Sequence, residues 1–314
     1  MLIFILKRIL AAIPVLFIVT LIAFSLIYMI PGDAAIVAAG ENASQERIEQ
    51  VREQMGLNRP AIVQYFVWIG DLLTGNLGVS LISGHTNAEM IANALPVTVS
   101  LALIALTWSL IAGVLIGTFA GLNRDSWIDR TLTALTTFGL AVPTFWIGLI
   151  LVVTFALQFR MFPATGFTPI TEGVGPWLSH LVLPALALGT TTAAEIARQT
   201  RAGMIDVLEQ DYIRTATAKG LPRWIVVGKH TTKNAAIPVV TVFGLQAAAL
   251  IGGSVIIEQV FAMPGLGSLA LRSIIERDFP VIQAFVVVVT LFVLVINLLV
   301  DISYAYFNPK VRQS

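Results

Sequence analysis

The chain contains no cysteine, and only 12% of its 314 residues are charged. The absence of cysteine excludes disulfide bonds, thiol catalysis and cysteine-ligated metal sites. Soluble domains carry roughly 25% charged residues, so half that share over this length indicates a surface that faces lipid. Hydrophobic residues make up 57% of the chain and its mean hydropathy is +0.86, which is typical of a membrane protein.

Ionisable residues are also missing from the middle of every long apolar segment. Ion- and proton-coupled transporters keep such residues inside their spans, so their absence argues against a proton relay. Glu195, Arg198, Glu258 and Asp301 stand only near segment ends. We expect interfacial positions for them, with a gate or partner contact as the alternative.

The signatures of enzymes are absent as well. Gly228-Lys229-His230 contains the Gly-Lys pair of a phosphate-binding loop, but Arg223 replaces the first glycine of that motif and His230 replaces the magnesium-binding Ser or Thr. Gly252-Gly253-Ser254 lacks the closing glycine of a nucleophile elbow. We therefore expect no catalysis, metal or cofactor in this chain, and the net charge of +1 gives no sign of a nucleic-acid partner. The chain either conducts passively or is driven by another subunit.

Six segments are long and apolar enough to cross a bilayer as helices, which takes about 20 residues each. They cover residues 9–30, 98–121, 133–157, 180–198, 236–257 and 281–304. The fourth is the weakest candidate because residues 189–192 make its centre polar. The first follows two basic residues as a signal peptide would, but its apolar run is longer than the about 7–15 residues of such peptides, so we expect a retained helix.

The basic residues favour one orientation. With both termini in the cytoplasm, 13 of the 19 Lys and Arg residues lie on the cytoplasmic side, as the positive-inside rule prefers. The sequence thus predicts an all-α membrane protein of six transmembrane helices with cytoplasmic N- and C-termini. Residues 1–97 would form an N-terminal helix and a long external loop, and residues 98–314 a five-helix core with a cytoplasmic loop at 198–235.

The external loop at 31–97 contains two amphipathic patterns. Ser44 can cap a short helix that runs to Met55 and stops at Gly56. A second helix around 62–73 carries several aromatic residues. Such helices rest on the bilayer surface or bind a partner, and the two roles are compatible.

The cytoplasmic loop holds 7 of the 19 basic residues, more than orientation alone requires. Residues 211–220 predict a short helix lying across the membrane face, with Asp211 at its N-cap and Gly220 as its stop. The small Ala216 and Ala218 would let another surface approach closely. A solvated connecting helix is the alternative.

Residues 211–220 resemble the cytoplasmic coupling motif of ABC importer permeases, in which a short alanine-containing helix ends at a glycine. The usual Glu-Ala-Ala core falls on Thr215-Ala216-Thr217, so only the central alanine matches the general form. The fuller form is similar to the dipeptide/oligopeptide/nickel permease family. The residues that carry this resemblance are Asp211, Tyr212, Arg214, Thr215, Ala216, Ala218, Lys219, Gly220, His230 and Asn234.

The resemblance extends along nearly the whole chain. In the N-terminal third it rests on Pro31-Gly32-Asp33, Gly56-Leu57, Pro60, Gln64-Tyr65 and residues 75–80. Toward the C-terminus it rests on Glu258, Phe261, Pro264-Gly265-Leu266-Gly267, Arg277-Asp278, Pro280, Asn297, Asp301 and Asn308-Pro309. The long first external loop is similar to the B-type permease of the pair.

The resemblance implies a type I ABC importer permease fold and a set of partners. These are a homologous second permease, two ATP-binding subunits that hold ATP and magnesium, and an extracytoplasmic substrate-binding protein. Residues 211–220, His230 and Asn234 would couple to an ATPase. An external receptor or gate site would comprise Glu258, Phe261, Pro264, Gly265, Gly267, Arg277 and Asp278, with a packed re-entrant plug as the alternative.

The resemblance also implies a class of substrate, with peptides first. Nickel chelates, glutathione, opines and oligosaccharides are the alternatives, because a soluble receptor sets specificity in such systems. A passive channel, a secondary transporter and a non-conducting assembly protein remain as rival functions.

Overall fold

The computed structural model describes residues 2–29, 34–40 and 43–307, and most of these are helical. A single isolated β-bridge joins Val79 and Thr86. The α-helices of the described residues are α1 (Leu2–Ser25), α2 (Ala34–Ala39), α3 (Gln45–Gln54), α4 (Ala61–Leu73), α5 (Asn87–Leu122), α6 (Trp127–Ala141), α7 (Thr144–Leu151), α8 (Val174–Leu208), α9 (Asp211–Ala218), α10 (Arg223–Ile225), α11 (Thr232–Val260), α12 (Leu266–Glu276) and α13 (Phe279–Phe307).

Four stretches are long and apolar enough to cross a membrane, namely Ile5–Tyr28, α5, α8 and Phe279–Ile302. Two further stretches qualify only as bent pairs, which brings the number of candidate spans in the described residues to six if each pair is one span. The first pair, α6 with Thr144–Gln158, bends by 103°. The second, Val239–Leu250 with Gly252–Val260, bends by 55°.

The helix predicted over 133–157 is present but is broken at Pro143. Val142 adopts an extended backbone and Pro143 caps α7. A proline disfavours helical geometry in the residue before it and supplies no N–H to the preceding turn. The last part of this stretch, Val152–Gln158, is π-helical.

Two predicted boundaries also move. Helix α5 begins at Asn87, inside the segment predicted as external loop, and α8 continues past 198 to Leu208. The loop predicted at 198–235 thus begins only after Leu208. Helix α8 is longer because its buried face continues beyond Ile196 to Met204, both 0% exposed.

The chain divides into two compact units. The first combines Thr98–Met263 with the stretch from Val295 onward, and the second combines Leu2–Val97 with Pro264–Leu294.

Helix α8 is the central helix of the first unit. In its most apolar stretch 67% of the residues are buried, against 28% for α5, and α6, α7 and α11 pack on it. Its polar centre is satisfied within the protein: Ser109 Oγ donates to the Gly189 carbonyl at 2.8 Å and Trp108 Nε1 to the Ala185 carbonyl at 3.0 Å. The weak hydropathy at residues 189–192 therefore reflects burial among helices.

Helix α5 approaches α8 along a ridge of glycines, Gly113, Gly117 and Gly121. A Cβ atom on each would lie closer than 3.0 Å to Ile196, to the Ala197 carbonyl and to Met204, respectively. Small residues at every fourth position are a common device for close helix packing in membranes.

In the second unit α4 packs on α1. Tyr65 of α4 meets Thr20 of α1 through a hydroxyl–hydroxyl hydrogen bond of 3.0 Å and stacks edge-on against Phe24. A separate apolar cluster joins Ile91 of α5 with Leu266 of α12 and Ala284 of α13.

Both predicted helices of the external loop are confirmed as α3 and α4. Ser44 Oγ accepts from the Arg47 N–H at 3.2 Å as the N-cap of α3. Gly56 follows the end of that helix with a φ of +64°. Pro31-Gly32-Asp33 and Asn308-Pro309 lie outside the described residues.

Candidate functional site

The predicted short helix at 211–220 is present as α9, and only Glu209 and Gln210 separate it from α8. The prediction of Asp211 as N-cap is wrong. Gln210 holds that position, with an extended backbone and no side-chain capping bond, and Asp211 is the first helical residue. The Asp211 carboxylate still stands where it favours the helix dipole, and it lies 3.7 Å from Arg214 Nη1.

The predicted stop at Gly220 is confirmed. Gly220 has a φ of +76°, and its N–H donates to the Thr217 carbonyl at 2.9 Å. The Leu221 N–H donates to the Ala216 carbonyl at 3.3 Å. These two bonds form a Schellman motif, which needs a left-handed residue after the helix.

One face of α9 packs against other residues of the same chain. Ile213 and Ala216 are buried and cluster with Val226, beside Val207 and Leu208 from the end of α8. The surface that packs closely on Ala216 thus belongs to the same chain. Ala218, in contrast, is exposed.

The opposite face of α9 and the residues that follow it carry large exposed side chains. Tyr212 is 45% exposed, Leu221 37% and Trp224 75%. The exposed residues between Tyr212 and Leu221 include the basic Arg214 and Lys219. Exposed aromatic side chains beside basic ones are typical of protein-binding surfaces.

The other two residues of the predicted coupling set are placed only by their backbones. His230 lies in the π-helical turn Val226–Thr231 and Asn234 in the first turn of α11. Their side chains lie outside the described part of the structure.

An ion pair that the sequence did not predict lies close to the end of α8. Arg201 Nε donates to Asp129 Oδ1 at 2.5 Å and Arg201 Nη2 to Asp129 Oδ2 at 2.7 Å. The Asp129 side chain is only 4% exposed and also accepts from the Asp125 N–H at 3.0 Å. A second, exposed ion pair joins Arg124 and Glu209.

Part of the Asp129 environment does have a local sequence signal. Ser126 and Asp129 form the Ser-x-x-Asp pattern of a helix start, and Ser126 Oγ accepts from the Asp129 N–H at 3.3 Å. No local pattern identifies Arg201, which lies far along the chain, as the partner. The pair lines an open cleft of about 750 Å³ together with Asp125, Arg130, Thr133, Ala134, Thr137, Phe138 and Ala141.

The residues of the predicted external site are divided between the two units. Glu258 and Phe261 belong to the first unit. Glu258 is 0% exposed, and its Oε1 accepts from Thr98 Oγ1 at 2.6 Å and from Ser254 Oγ at 3.1 Å. The Glu258 carboxylate is thus enclosed by helices and not exposed at a surface, while its interfacial position in the membrane stays a prediction. Phe261 is 1% exposed, and its carbonyl accepts from the Gly166 N–H at 2.8 Å.

The remaining five residues, Pro264, Gly265, Gly267, Arg277 and Asp278, belong to the second unit. Gly265 is the N-cap of α12, and Gly267 is inside that helix. Asp278 is 2% exposed; its carboxylate accepts from Ser80 Oγ at 2.5 Å and from the Leu81 N–H at 3.3 Å. The structure thus joins two distant motifs, residues 75–80 and Arg277-Asp278.

Two family models match the chain over nearly all of its length. One is described as "Binding-protein-dependent transport system inner membrane component" and matches residues 113–313. The other is described as the N-terminal part of a binding-protein-dependent transport system membrane component and matches residues 1–102.

Relatives and solved structures agree with these matches. A putative peptide transport system permease protein of Brucella abortus (strain 2308) is 41% identical over 98% of both chains. The glutathione transport system permease protein GsiC of Escherichia coli (strain K12) is 41% identical over 99% of both chains. An inward-facing structure of the MetNI methionine ABC transporter is similar in fold, with a TM-score of 0.59 and 15% identity over 70% of this chain and 97% of that chain.

Proposed function

This chain belongs to the binding-protein-dependent transport system inner membrane components, the permeases of ABC importers, and from that premise we propose how it is arranged and driven. It is a multi-pass protein of the inner membrane. Its family is one of transport permeases and not of enzymes. ATP-binding partners follow from that membership.

We propose a type I arrangement of six spans, with each bent pair crossing once and both termini in the cytoplasm. The candidate spans of the described residues support the number, and the excess of basic residues between α8 and α11 supports the orientation. Residues 98–314 would be the conducting core, and residues 1–97 the N-terminal helix and external part.

We propose that α9 docks on an ATP-binding subunit and transmits its movement to α8 and α11. The observation that carries this proposal is that one face of α9 is buried against residues of the same chain, whereas Tyr212 on its other face and Leu221 and Trp224 just after it are exposed. A rigid helix with exposed aromatic side chains is suited to a groove on a second protein. ATP and magnesium would be bound entirely by the partner.

The proposed assembly contains this permease, a homologous second permease, two ATP-binding subunits and an extracytoplasmic binding protein. The binding protein would meet the segment 258–280, where Arg277 is exposed and held in the left-handed region at a φ of +58°. Residues in that strained conformation are often part of functional sites.

We propose small peptides as the substrate class. One relative is named for peptide transport and another for glutathione transport, and glutathione is itself a small peptide. Proteoliposomes that hold the whole assembly, including the binding protein, should take up labelled dipeptides or glutathione only when ATP is supplied. Uptake by this chain alone, with no ATP-binding subunit, would contradict the proposal and support a passive channel or secondary transporter.

Docking at the α9 surface is tested by truncating the most exposed aromatic residue beside it, Trp224 of α10. Loss of an interface anchor costs about 2 kcal/mol or more, so we expect Trp224→Ala to weaken capture of the ATP-binding subunit by at least about tenfold in a detergent pull-down. The matched control is Trp127→Ala, because Trp127 at the start of α6 is also 75% exposed. Equal capture by both variants would contradict docking at this surface.

A further inference from the structure

The Asp129–Arg201 pair has the geometry of a rigid clamp. Both nitrogen atoms of one edge of the guanidinium face the two carboxylate oxygens, at 2.5 and 2.7 Å. Such a two-point contact fixes the orientation of both side chains, which a single lysine ammonium cannot do. The Asp125 N–H and Thr133 Oγ1, at 3.0 and 3.3 Å, hold the same carboxylate.

The Asp129–Arg201 pair joins α6 to α8, the helix that leads into the proposed coupling helix α9. Asp129 stands in the first turn of α6, directly after the turn that connects α5 with α6. Arg201 stands on α8, the helix from which α9 follows after Glu209 and Gln210. The Asp129–Arg201 contact therefore connects the helix that leads into α9 with the start of α6.

The same turn is held to α8 from its other side. Gly121 of α5 lies so close to Met204 that a Cβ atom on it would be 2.7 Å from the Met204 Cβ. The Arg124–Glu209 ion pair adds an exposed contact at the very end of α8. Exposed ion pairs contribute little in water. The partly buried Asp129–Arg201 pair, in which only the Asp129 side chain is fully enclosed, is therefore the stronger of these two polar links.

We propose that the Asp129–Arg201 pair is a positioning element that makes the α5–α6 turn and the α8–α9 segment move as one body, so that ATP-driven movement of α9 reaches α6 as well as α8 and α11. The inference rests on the proposed docking of α9. Asp129 and Arg201 contact neither substrate nor nucleotide in this role; they act through the elements that they hold together.

The first test measures substrate transported per ATP hydrolysed in proteoliposomes that contain the complete transporter. We expect Arg201→Gln and Asp129→Asn to lower this ratio at least about tenfold while ATP hydrolysis continues. Arg201→Lys keeps the charge but loses the two-point contact, and we expect an intermediate ratio. The matched control is Arg198→Gln. Arg198 lies one turn earlier on α8, is 65% exposed and, among the described residues, pairs with Glu195 of its own helix. Its ratio should stay within twofold of the wild type.

A wild-type ratio in both Arg201→Gln and Asp129→Asn would overturn the inference. If these variants do not assemble, Arg201→Lys decides: a wild-type ratio in that variant would overturn the inference equally. Failure of the proposed function would look different, because the wild-type transporter would then show no ATP-dependent uptake at all.

The second test follows movement directly and does not depend on activity. The chain has no cysteine, so spin labels can be attached to Asp125→Cys and Arg214→Cys, whose side chains are 83% and 73% exposed. In the wild-type background we expect the same distance distribution without nucleotide and with trapped ATP. In the Arg201→Lys background the distribution should broaden or shift between these states. A nucleotide-dependent distance in the wild type, or identical distributions in both backgrounds, would overturn the rigid link.

Discussion

Two small residues, Gly220 and Ala216, determine how α9 ends and how it packs. Gly220 needs its left-handed conformation for the Schellman motif, but a Cβ atom there would meet no atom within 4 Å. Ala216 is limited by space instead, since it is buried against the end of α8. The two positions therefore tolerate different substitutions for different physical reasons.

The buried and exposed faces of α9 can be separated with one pair of variants. Ala216→Glu places a carboxylate at a buried site without a partner, which costs about 3–5 kcal/mol, so we expect a clearly lower unfolding temperature of the chain in detergent. Ala218→Glu places the same carboxylate on the exposed face. We expect it to leave the unfolding temperature unchanged and to weaken capture of the ATP-binding subunit.

The opposite pattern, with Ala216→Glu stable and Ala218→Glu unfolded, would mean that α9 presents the other face to its partner. Unchanged stability and capture in both variants would exclude a close contact on either face.

Local signals in the sequence account for the start of α3 and the end of α9. Ser44 and Gly220 act through bonds to residues three or four positions away, so their roles follow from the neighbouring sequence. The partners of Asp129 and Asp278 lie far along the chain, at Arg201 and Ser80. No local pattern contains that information, which is why the sequence placed Asp278 in a site but did not predict what it binds.

At the scale of helices, apolar length predicted most of the spans, but it did not predict how they bend or end. The break at Pro143 follows from the local effect of proline on the helix. Helix α12, by contrast, packs against Ile91 and Ala284, which are distant in the chain, so local sequence does not reveal these contacts. Helix α8 was the weakest predicted span, yet it is more buried than α5. Hydropathy measures preference for lipid, so it undervalues a helix that packs against other helices.

The glycine ridge between α5 and α8 gives an element-scale prediction. A Cβ atom at Gly117 would lie closer than 3.0 Å to the Ala197 carbonyl and to Thr200 Cβ, so Gly117→Ala must push the two helices apart. Overpacking of this kind costs about 1–3 kcal/mol, and we expect a lower unfolding temperature in detergent.

The control is Gly70→Ala in α4, where a Cβ atom meets nothing within 4 Å. Alanine is the better helix former by about 1 kcal/mol, so this variant should be as stable as the wild type or more stable. A Gly117→Ala variant with wild-type stability would show that the α5–α8 contact is looser than the structure places it.

At the scale of the whole molecule, composition predicted the membrane class and the distribution of basic residues predicted an orientation. The two ends of α8 can be used to test that orientation. Its 35 residues extend over about 52 Å at 1.5 Å per residue, well beyond a hydrocarbon core of about 30 Å. If α8 crosses the membrane as we propose, residues just before Val174 and just after Leu208 lie on opposite sides of it.

Single cysteines on the two sides of α8 test the proposed orientation, because the chain has none of its own. Glu172 precedes α8 and Arg214 follows it on α9, and both are exposed. We expect a membrane-impermeant maleimide to label Glu172→Cys in intact spheroplasts and Arg214→Cys only after the membrane is opened. The reverse labelling would contradict cytoplasmic termini and would place α9 out of reach of any ATP-binding subunit. Labelling of both variants in intact spheroplasts would mean that α8 does not cross the membrane, and the six-span arrangement would then fail with it.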